Sequence, residues 1–212
     1  MPLTLTVDPR DPDPAVIHEA AEMIRGGLVV AYPTDTLYGL AVDPRNTEAV
    51  RRLFELKGRP ASSALTLIAA DMADVRAVAD MTADAERLAA RWWPGPLTIV
   101  VRARAILARE TLAGGESVGI RIPDHAVAVA LARAAGFCMT ATSANKSGAT
   151  AASSADAVLS ALPDVDAIVD AGRSRGGAPS TIVDVLDDGV LHLVRPGAIE
   201  WEEIEACANG PR

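Results

Sequence analysis

The stretch LVVAYPTDTLYGL, residues 28–40, carries the clearest structural signal in the chain. Its first five residues are apolar and predict a buried strand, which Pro33 ends. The polar residues Thr34, Asp35 and Thr36 follow directly. Sheets of α/β proteins bind ligands at the ends of their strands, so this segment is a candidate site. The alternative is a hydroxyl-stabilised turn with no further role.

Helix and strand patterns alternate along the rest of the chain. Asp13 and Pro14 are typical of a helix start, and Asn46 and Gly58 mark the two ends of a second helix. Asp124 is expected to cap a later helix that runs to about residue 135. Further helices are expected near residues 72–79, 83–92 and 154–161.

Short apolar runs predict the strands. Beyond residues 28–32, they are expected over residues 65–70, 97–101, 118–122, 137–142 and 167–169, and in a hairpin of 181–186 with 190–194 across Asp187-Asp188-Gly189. The order of elements predicts the α/β class, with one twisted, mixed, open sheet flanked by helices. We expect a single domain over residues 1–212.

Composition limits the function classes. The 212 residues are 50% apolar and 23% charged, which is typical of a globular protein. The net charge is −8, so nonspecific coating of nucleic acid is not expected, because such binding needs an excess of cations. The N-terminus has no apolar signal segment and no apolar run is long enough for a membrane span. A cytoplasmic protein without membrane contact is therefore expected.

Cysteines and histidines are few and scattered. They are Cys138, Cys207, His18, His125 and His192, and no spacing among them suits zinc. We therefore expect no metal site built from side chains. Cys138 lies in an apolar run and is expected to be a small buried residue, while His125 is expected at a helix start.

Two further segments place cations beside apolar structure. Lys57 and Arg59 stand close together in KGRP, residues 57–60. They form either a phosphate clamp or the end of a helix, where Lys57 favours the helix dipole. Arg121 lies within an apolar strand and points either to solvent or into a cleft, where it pairs with a carboxylate.

Two loops supply hydroxyls and amides. TSANKSG, residues 142–148, follows an apolar strand. Its backbone N–H groups and polar side chains form either a binding loop, for phosphate oxygens or for the edge of an adenine, or a solvated loop with no ligand. Ser180 and Arg195 flank the last hairpin and are either site residues or an ordinary turn and strand end. The Gly- and Arg-rich residues 172–180 are expected to form a mobile loop, a candidate to close over the site.

Several common catalytic motifs are missing from the sequence. The chain has no P-loop, no G-x-G-x-x-G fingerprint with an acidic partner and no G-x-S-x-G nucleophile elbow. The candidate segments share cations, hydroxyls and amides instead. These groups suit the binding of an anionic nucleotide and the polarisation of a phosphate, without a covalent protein intermediate.

The candidate segments belong to a set of motifs that occur in a fixed order. They are YPTDTLYGL (32–40), KGRP (57–60), WPGPLT (93–98), VGIRIPDH (118–125), TSANKSG (142–148), PSTIVD (179–184) and VRPG (194–197). This set resembles the YrdC family of L-threonylcarbamoyl-AMP synthases, over about residues 14–197. The resemblance implies a twisted open α/β sheet with a large, positively lined cavity. It also implies the short, single-domain form of the family, without an added C-terminal domain.

The resemblance implies a reaction and its participants. L-Threonine, bicarbonate or CO₂, and ATP with Mg²⁺ give threonylcarbamoyl-AMP and pyrophosphate, with no organic cofactor. The product passes to the transferase complex that forms N6-threonylcarbamoyladenosine at position 37 of tRNA. Strong direct contact with tRNA is not expected.

The resemblance also assigns roles to residues of the matching motifs. The predicted catalytic residues are Lys57 and Arg59. The predicted threonine-binding residues are Thr34, Thr36, Arg121, Ala141 and Ser180. The predicted ATP-binding residues are Arg59, Ser63, Ser117, Ser143, Asn145, Ala151 and Arg195.

The sequence departs from the family pattern at three positions. Ala64 and Ile68 stand where longer members often carry Pro and His, so the His contact to threonine is missing or supplied otherwise. Ala151 stands where Ser often contacts ATP, so only a backbone contact is expected there. Two other functions remain open: a noncatalytic RNA- or nucleotide-binding module, and a relative that uses another carbamoyl donor.

Overall fold

A computed structural model describes residues 1–60, 62–185 and 190–208 of the chain. Its helices, numbered in chain order, are α1 Pro14–Arg25, α2 Thr47–Lys57, α3 Met72–Val78, α4 Ala83–Trp92, α5 Ala126–Ala135, α6 Ala155–Ala161 and α7 Trp201–Ala208. Its strands are β1 Leu3–Thr6, β2 Val30–Tyr32, β3 Gly39–Ala41, β4 Thr66–Ile68, β5 Ala79–Asp80, β6 Leu97–Ala103, β7 Ser117–Arg121, β8 Met139–Thr140, β9 Thr142–Ser143, β10 Ala167–Asp170, β11 Thr181–Val185 and β12 Leu191–Arg195. Within these described ranges, no helix has the length and hydrophobicity needed to cross a bilayer.

The strands are distributed over two sheets, where the sequence pattern indicated one. The first sheet has five strands in the order β1-β10-β2-β3-β9. The second has the order β12-β11-β6-β7-β4-β8, with β5 paired to β6. Both sheets contain parallel and antiparallel pairs. The α/β class and the mixed pairing are therefore confirmed.

The predicted strand over residues 137–142 is two short strands that belong to different sheets. β8 pairs with β4 in the second sheet, and β9 pairs with β3 in the first. Ala141 lies between them, and its N–H donates to Thr66 O at 2.8 Å. A single strand is the wrong prediction because hydrophobic periodicity does not show where a strand changes its partner.

The hairpin at the end of the second sheet is confirmed in its strands. β11 and β12 pair antiparallel, as expected. Its turn, Asp187-Asp188-Gly189, lies outside the described residues. The strands β1, β3 and β5 are not predicted by the sequence, because elements of two to four residues are too short to show a period.

The expected cap residues are found at α1 and α2 but not at α5. The side chain of Asp13 accepts the N–H of Ala15 at the start of α1. Asn46 Oδ1 accepts two N–H groups at the start of α2. At α5, the cap position is held by His125, whose side chain makes no capping hydrogen bond. The expected cap at Asp124 is wrong because the helix begins one residue later than the pattern indicates.

Small aliphatic side chains form the core around both sheets. Val30 and Tyr32 of β2 face the cluster that includes α1 and α5, while Ala31 faces the cluster with α2 and α6. The helices α3, α4 and α7 belong to a third cluster with the second sheet. Helices therefore cover both faces of the first sheet around β2, and the helices α3, α4 and α7 pack against the second sheet.

Candidate active site

A pocket opens where the two sheets meet, and residues of both line it. Its cavity volume is about 100 Å³. Four of the five polar segments predicted from the sequence contribute to the lining, through Thr36, Arg121, Ser143 and the pair Ser180 and Arg195. The fold thus brings together segments that are far apart in the chain.

Thr34 forms the turn that follows β2. Its Oγ1 donates to Leu37 O at 2.7 Å and accepts the N–H groups of Thr36 and Leu37 at 3.2 and 3.3 Å. The two hydroxyls, of Thr34 and Thr36, lie 3.2 Å apart. The hydroxyl turn exists, and it holds both threonine side chains at the pocket.

Arg121 ends β7 and is buried against Asp35. Nη1 of Arg121 lies 3.0 Å from Oδ1 of Asp35 and donates to Oδ2 at 3.1 Å, and the two side chains are only 8% and 10% exposed. Of the two alternatives for Arg121, the structure shows the one in which it pairs with a carboxylate. Asp35 has no assigned role in the sequence analysis, although its place between two threonines in PTDT is a signal.

Ser180 and Arg195 belong to the second sheet's side of the pocket. Nη2 of Arg195 donates to Ser180 O at 2.6 Å and to Ser180 Oγ at 3.1 Å. Ser180 Oγ also lies 2.8 Å from Thr98 Oγ1. Gly197 makes this approach possible, because a Cβ there would lie 2.4 Å from Pro179 O. The sequence motif RPG thus reflects two backbone segments in close contact.

Lys57 and Arg59 reach the pocket through the loop of residues 142–148. Lys57 Nζ donates to the carbonyl oxygen of Ser143 and, at 2.8 Å, to that of Asn145. Arg59 Nη1 donates to Thr142 Oγ1 at 3.0 Å. Lys57 is the last residue of α2, as the helix-end alternative expects, and its ammonium group also extends away from the helix and holds this loop.

Burial lowers the pKa of three cations of the site, and a neighbouring cation adds to the effect for two of them. Burial, followed by the charge of Arg59, lowers the pKa of Lys57 to about 8. Burial also lowers the pKa of Arg59. Burial and then the charge of Arg121 lower the pKa of Arg195. Asp35 offsets part of this positive charge, and an anionic ligand would be stabilised by the remainder.

Five of the residues predicted to bind ATP do not line the pocket, and Arg59 is one of them. Ser117 lies at the far end of β7 from Arg121, roughly 13 Å away over four residue steps. Ser63 and Ala151 lie in loops before β4 and α6. The Asn145 side chain is used within its own loop, where Oδ1 accepts from Ser143 Oγ and Nδ2 donates to Ala149 O, both at 2.5 Å.

The two departures from the family pattern near β4 have different surroundings. Ile68 is fully buried and packs in the cluster that contains α1 and α5, so it offers no polar group. Ala64 is exposed, and its carbonyl oxygen accepts from Arg59 Nη2 at 2.9 Å. The residue at position 64 therefore helps to orient Arg59 through its backbone.

Hydroxyls of the second sheet also line the pocket. Thr66 and Thr98 lie there, and Thr66 Oγ1 donates to Ala141 O at 2.8 Å. The sequence predicts no role for either threonine, although Thr98 is the last residue of the motif WPGPLT. Within residues 1–60, 62–185 and 190–208, no three or more His, Cys, Asp or Glu side chains form a group suited to a metal ion.

Two other residues are placed as the sequence indicates. Cys138 is buried, and burial raises the pKa of its thiol to about 12. It is therefore a small core residue. His125 lies at the start of α5.

Comparison with known proteins identifies the family. The family model Sua5_yciO_yrdC, described as "Telomere recombination", matches residues 22–197. The chain belongs to the Sua5/YciO/YrdC family. A threonylcarbamoyl-AMP synthase of Bacillus subtilis is 39% identical over 196 residues, which cover 90% of this chain and 56% of the relative. The chain therefore spans about half the length of this curated family member.

Solved Sua5/YciO/YrdC structures share the fold. Pyrococcus abyssi Sua5 complexed with L-threonine superposes with a TM-score of 0.92 and 35% identity, over 98% of this chain and 61% of that one. E. coli YciO superposes with a TM-score of 0.85 and 26% identity, over 94% of this chain and 98% of that one. The resemblance found in the motifs is thereby confirmed at the level of family and fold.

Proposed function

We propose that the protein is a threonylcarbamoyl-AMP synthase, which uses L-threonine, bicarbonate or CO₂, and ATP. The observation that carries the proposal is the pocket between the sheets, where Arg121 and Arg195 lie beside the hydroxyls of Thr34, Thr36 and Ser180. Guanidinium groups bind carboxylates and phosphates, and hydroxyls bind the polar groups of an amino acid. Family members with this name, and one bound to L-threonine, support the proposal.

The small volume of the pocket suits the amino acid. Its volume of about 100 Å³ is well below the roughly 300–1,000 Å³ of pockets that hold drug-sized ligands. The threonine carboxylate binds Arg121 and takes over part of the role of Asp35. The hydroxyls of Thr36 and Ser180 and the carbonyl group of Ala141 orient the rest of the molecule.

ATP binds next to the amino acid, along the loop of residues 142–148 and on the side of the cavity that Ser143 and Arg195 line. Arg59 and Arg195 neutralise its phosphate groups, and Ser143 contacts the nucleotide. Mg²⁺ arrives with the nucleotide and offsets phosphate charge when bound. Lys57 adds positive charge and positions the loop, since its ammonium group donates to the carbonyl oxygens of Ser143 and Asn145.

The chemistry needs no protein nucleophile. The threonine amine adds to CO₂ or bicarbonate and gives a carbamate, with loss of a proton or of water respectively. A carbamate oxygen then forms a bond to the α-phosphorus of ATP, and the bond to the pyrophosphate oxygen breaks. Proximity of the two anionic reactants, and neutralisation of their charge by arginines, supply the rate enhancement. The product is passed to the tRNA threonylcarbamoyl transferase complex.

The test is pyrophosphate release by the purified protein with Mg-ATP and bicarbonate, with and without L-threonine. We expect threonine-dependent release and a product with the mass of threonylcarbamoyl-AMP. Release that ignores threonine but responds to another carbamoyl donor would replace the proposed substrate. Binding of ATP or RNA without any release would replace the enzyme by a binding module.

Arg59→Ala tests the role assigned to the site. We expect a rate at least about 100-fold lower with the fold retained, because a charged contact to the reacting phosphates is lost. Arg133→Ala is the matched control, since Arg133 lies exposed on α5 outside the pocket. A folded Arg59→Ala protein with the rate of the unmodified protein would contradict the assignment.

A further inference from the structure

A second cavity lies beside the candidate active site and shares no lining residue with it. Its volume is about 440 Å³. It lies between the turn around Asp35, the start of α5 at His125 and the loop that contains Ser174. The proposed reaction assigns no function to this cavity.

The second cavity is lined by residues with buried polar atoms that make no hydrogen bond to any described residue, although one of these atoms, Asp35 Oδ1, lies 3.0 Å from Arg121 Nη1 in the ion pair. Among the described residues, the buried side-chain nitrogen and oxygen atoms without a hydrogen bond are Asp35 Oδ1, His125 Nδ1 and Ser174 Oγ. All three residues line this cavity. Buried polar atoms are almost always hydrogen-bonded in native proteins, so three in one place point to a polar ligand.

The rim of the second cavity is positively charged. Arg10, Arg173 and Arg175 line it, are exposed, and form no ion pair with any other residue that the structure describes. Asp35 is already paired with Arg121, which leaves Asp124 as the exposed carboxylate of the lining. The three arginines without an ion pair therefore favour the binding of an anion.

The loop that supplies Ser174 is held in place by the backbone. The N–H of Ser174 donates to Ser153 O at 2.9 Å, and that of Gly176 donates to Thr36 O at 3.0 Å. Ser174 lines the cavity and is only 7% exposed, and its hydroxyl makes no hydrogen bond within the described residues. A site with a fixed donor binds its ligand without first ordering the loop.

His125 contributes a neutral ring to the second cavity. Burial is the main cause that lowers its pKa, and the charge of Arg175 acts in the same direction, against the opposing effect of Asp35. A neutral imidazole carries one donor and one acceptor nitrogen. Nδ1 of His125 is therefore able to donate to an anion when the proton resides there.

We propose that the second cavity binds a phosphate group, either of a free inorganic anion or of a phosphate ester. The guanidinium groups of Arg173 and Arg175 bind its oxygens, and Ser174 Oγ donates to a third oxygen. A singly protonated phosphate also has an O–H that donates to Asp35 Oδ1. A carboxylate anion has no such proton, so the donors and acceptors together select phosphate over carboxylate.

Calorimetric titration of the purified protein with inorganic phosphate at low ionic strength tests the proposal. We expect one-to-one binding, weakened about fivefold to tenfold by Ser174→Ala because one hydrogen bond to a charged ligand is lost. The double variant Arg173→Ala/Arg175→Ala is expected to abolish measurable binding. Arg133→Ala removes an exposed arginine elsewhere and is expected to leave binding unchanged.

Two controls separate this cavity from the proposed nucleotide site and from misfolding. Binding of phosphate is expected to persist in Arg59→Ala, because Arg59 is not part of the second cavity. Ser174→Ala is expected to unfold at the same or a higher temperature without phosphate, since it removes a buried hydroxyl that has no partner. Loss of binding in Arg59→Ala, with retention in Arg173→Ala/Arg175→Ala, would overturn the proposal.

The ligand class is tested in the same Arg59→Ala background. Acetate is expected to bind at least tenfold more weakly than phosphate, and equal binding of acetate would overturn the assignment to phosphate. Pyrophosphate and adenosine monophosphate then distinguish the source of the phosphate group. Tighter binding of pyrophosphate supports a free inorganic anion, and tighter binding of adenosine monophosphate supports an ester.

Discussion

Arg121 and Asp35 form a buried ion pair, and breaking it destabilises the protein unless another anion takes the place of Asp35. Both side chains are about nine-tenths buried, with exposures of 8% and 10%. Removing one partner of such a pair leaves an uncompensated buried charge and costs roughly 3–5 kcal/mol. A substrate carboxylate at Arg121 would replace that compensation. The pair therefore fixes the orientation of the Arg121 side chain at the pocket.

Asp35→Asn tests this argument. We expect the free energy of unfolding to fall by about 3 kcal/mol, because Arg121 loses its counter-charge. L-Threonine is expected to raise the melting temperature of Asp35→Asn more than that of the unmodified protein, since its carboxylate supplies the missing charge. The measurement is thermal unfolding with and without the amino acid.

The double variant Asp35→Asn/Arg121→Ala is the control for the ligand effect. It lacks both charges, so added L-threonine is expected to leave its melting temperature unchanged. Equal threonine shifts in Asp35→Asn and in the unmodified protein would show that Arg121 does not bind the carboxylate.

Lys57 predicts a pH dependence of stability. Its pKa is lowered from an ordinary value of 10.5 to about 8 in the folded protein. Between these pH values the unfolded chain holds a proton at Lys57 that the folded chain has released. The contribution of Lys57 therefore makes the free energy of unfolding rise as the pH increases from 8 to 10.5.

Urea unfolding of Lys57→Met across this pH range checks the sign. We expect a smaller rise with pH than in the unmodified protein, on top of a lower stability at every pH, because buried carbonyl groups lose their donor. Lys146→Met, at the other lysine of the chain, is expected to keep the full rise. Equal slopes in all three proteins would contradict the lowered pKa of Lys57.

Sequence reasoning at the residue level located cations and hydroxyls but not their connections. The pocket contains Arg121, Ser180 and Arg195, each of which lies at or next to the start or end of a strand. The strand ends are visible in the linear pattern of the sequence. Asp35 and Asn145 are different. Their partners lie far away in the chain or within a folded loop, so only the tertiary structure shows what they bind.

The loop that follows β10 shows what the sequence does not reveal at the level of elements. Its glycines and arginines predict mobility, yet Tyr38 ties it to the first sheet. The hydroxyl of Tyr38 donates to Gly172 O at 2.7 Å and lies 3.4 Å from the N–H of Ala171. Composition does not show such anchors, because the donor lies just before β3, more than a hundred residues away in the chain.

Tyr38→Phe is expected to loosen this loop without unfolding the protein. Loss of one buried hydrogen bond costs about 1 kcal/mol, so amide exchange of residues 171–176 is expected to accelerate about fivefold. Hydrogen-exchange mass spectrometry measures the change. Tyr32→Phe is the matched control, because its hydroxyl binds Thr140 O instead. Unchanged exchange of residues 171–176 in Tyr38→Phe would show that the anchor is not what holds the loop.

At the scale of the whole molecule, the segment Met139 to Ser143 joins the two sheets. Its first strand belongs to one sheet and its second to the other. Thr140 adds a side-chain link, since its Oγ1 donates to Leu40 O at 3.0 Å and accepts the N–H of Val42 at 2.9 Å. A linear pattern predicts the strands but not this division, because the choice of partner depends on how the sheets pack.

The three tryptophans make cooperation between the sheets measurable. Trp92, Trp93 and Trp201 pack against the cluster of the second sheet. Their fluorescence therefore reports on that half of the molecule, whereas far-ultraviolet circular dichroism reports on all helices and strands. Coincident unfolding curves from the two methods are expected for a single cooperative unit.

Thr140→Val tests whether Thr140 couples the two halves. We expect a loss of about 2 kcal/mol or more, because a buried N–H and a buried carbonyl lose their partner. The fluorescence and circular dichroism midpoints are expected to separate, since the link between the sheets is cut. Thr181→Val is the matched control: its hydroxyl also makes two buried backbone hydrogen bonds, but both are to Ile199. Thr181→Val is expected to lower the free energy of unfolding by a similar amount while its fluorescence and circular dichroism midpoints stay coincident. Coincident midpoints in Thr140→Val would show that other contacts couple the two sheets.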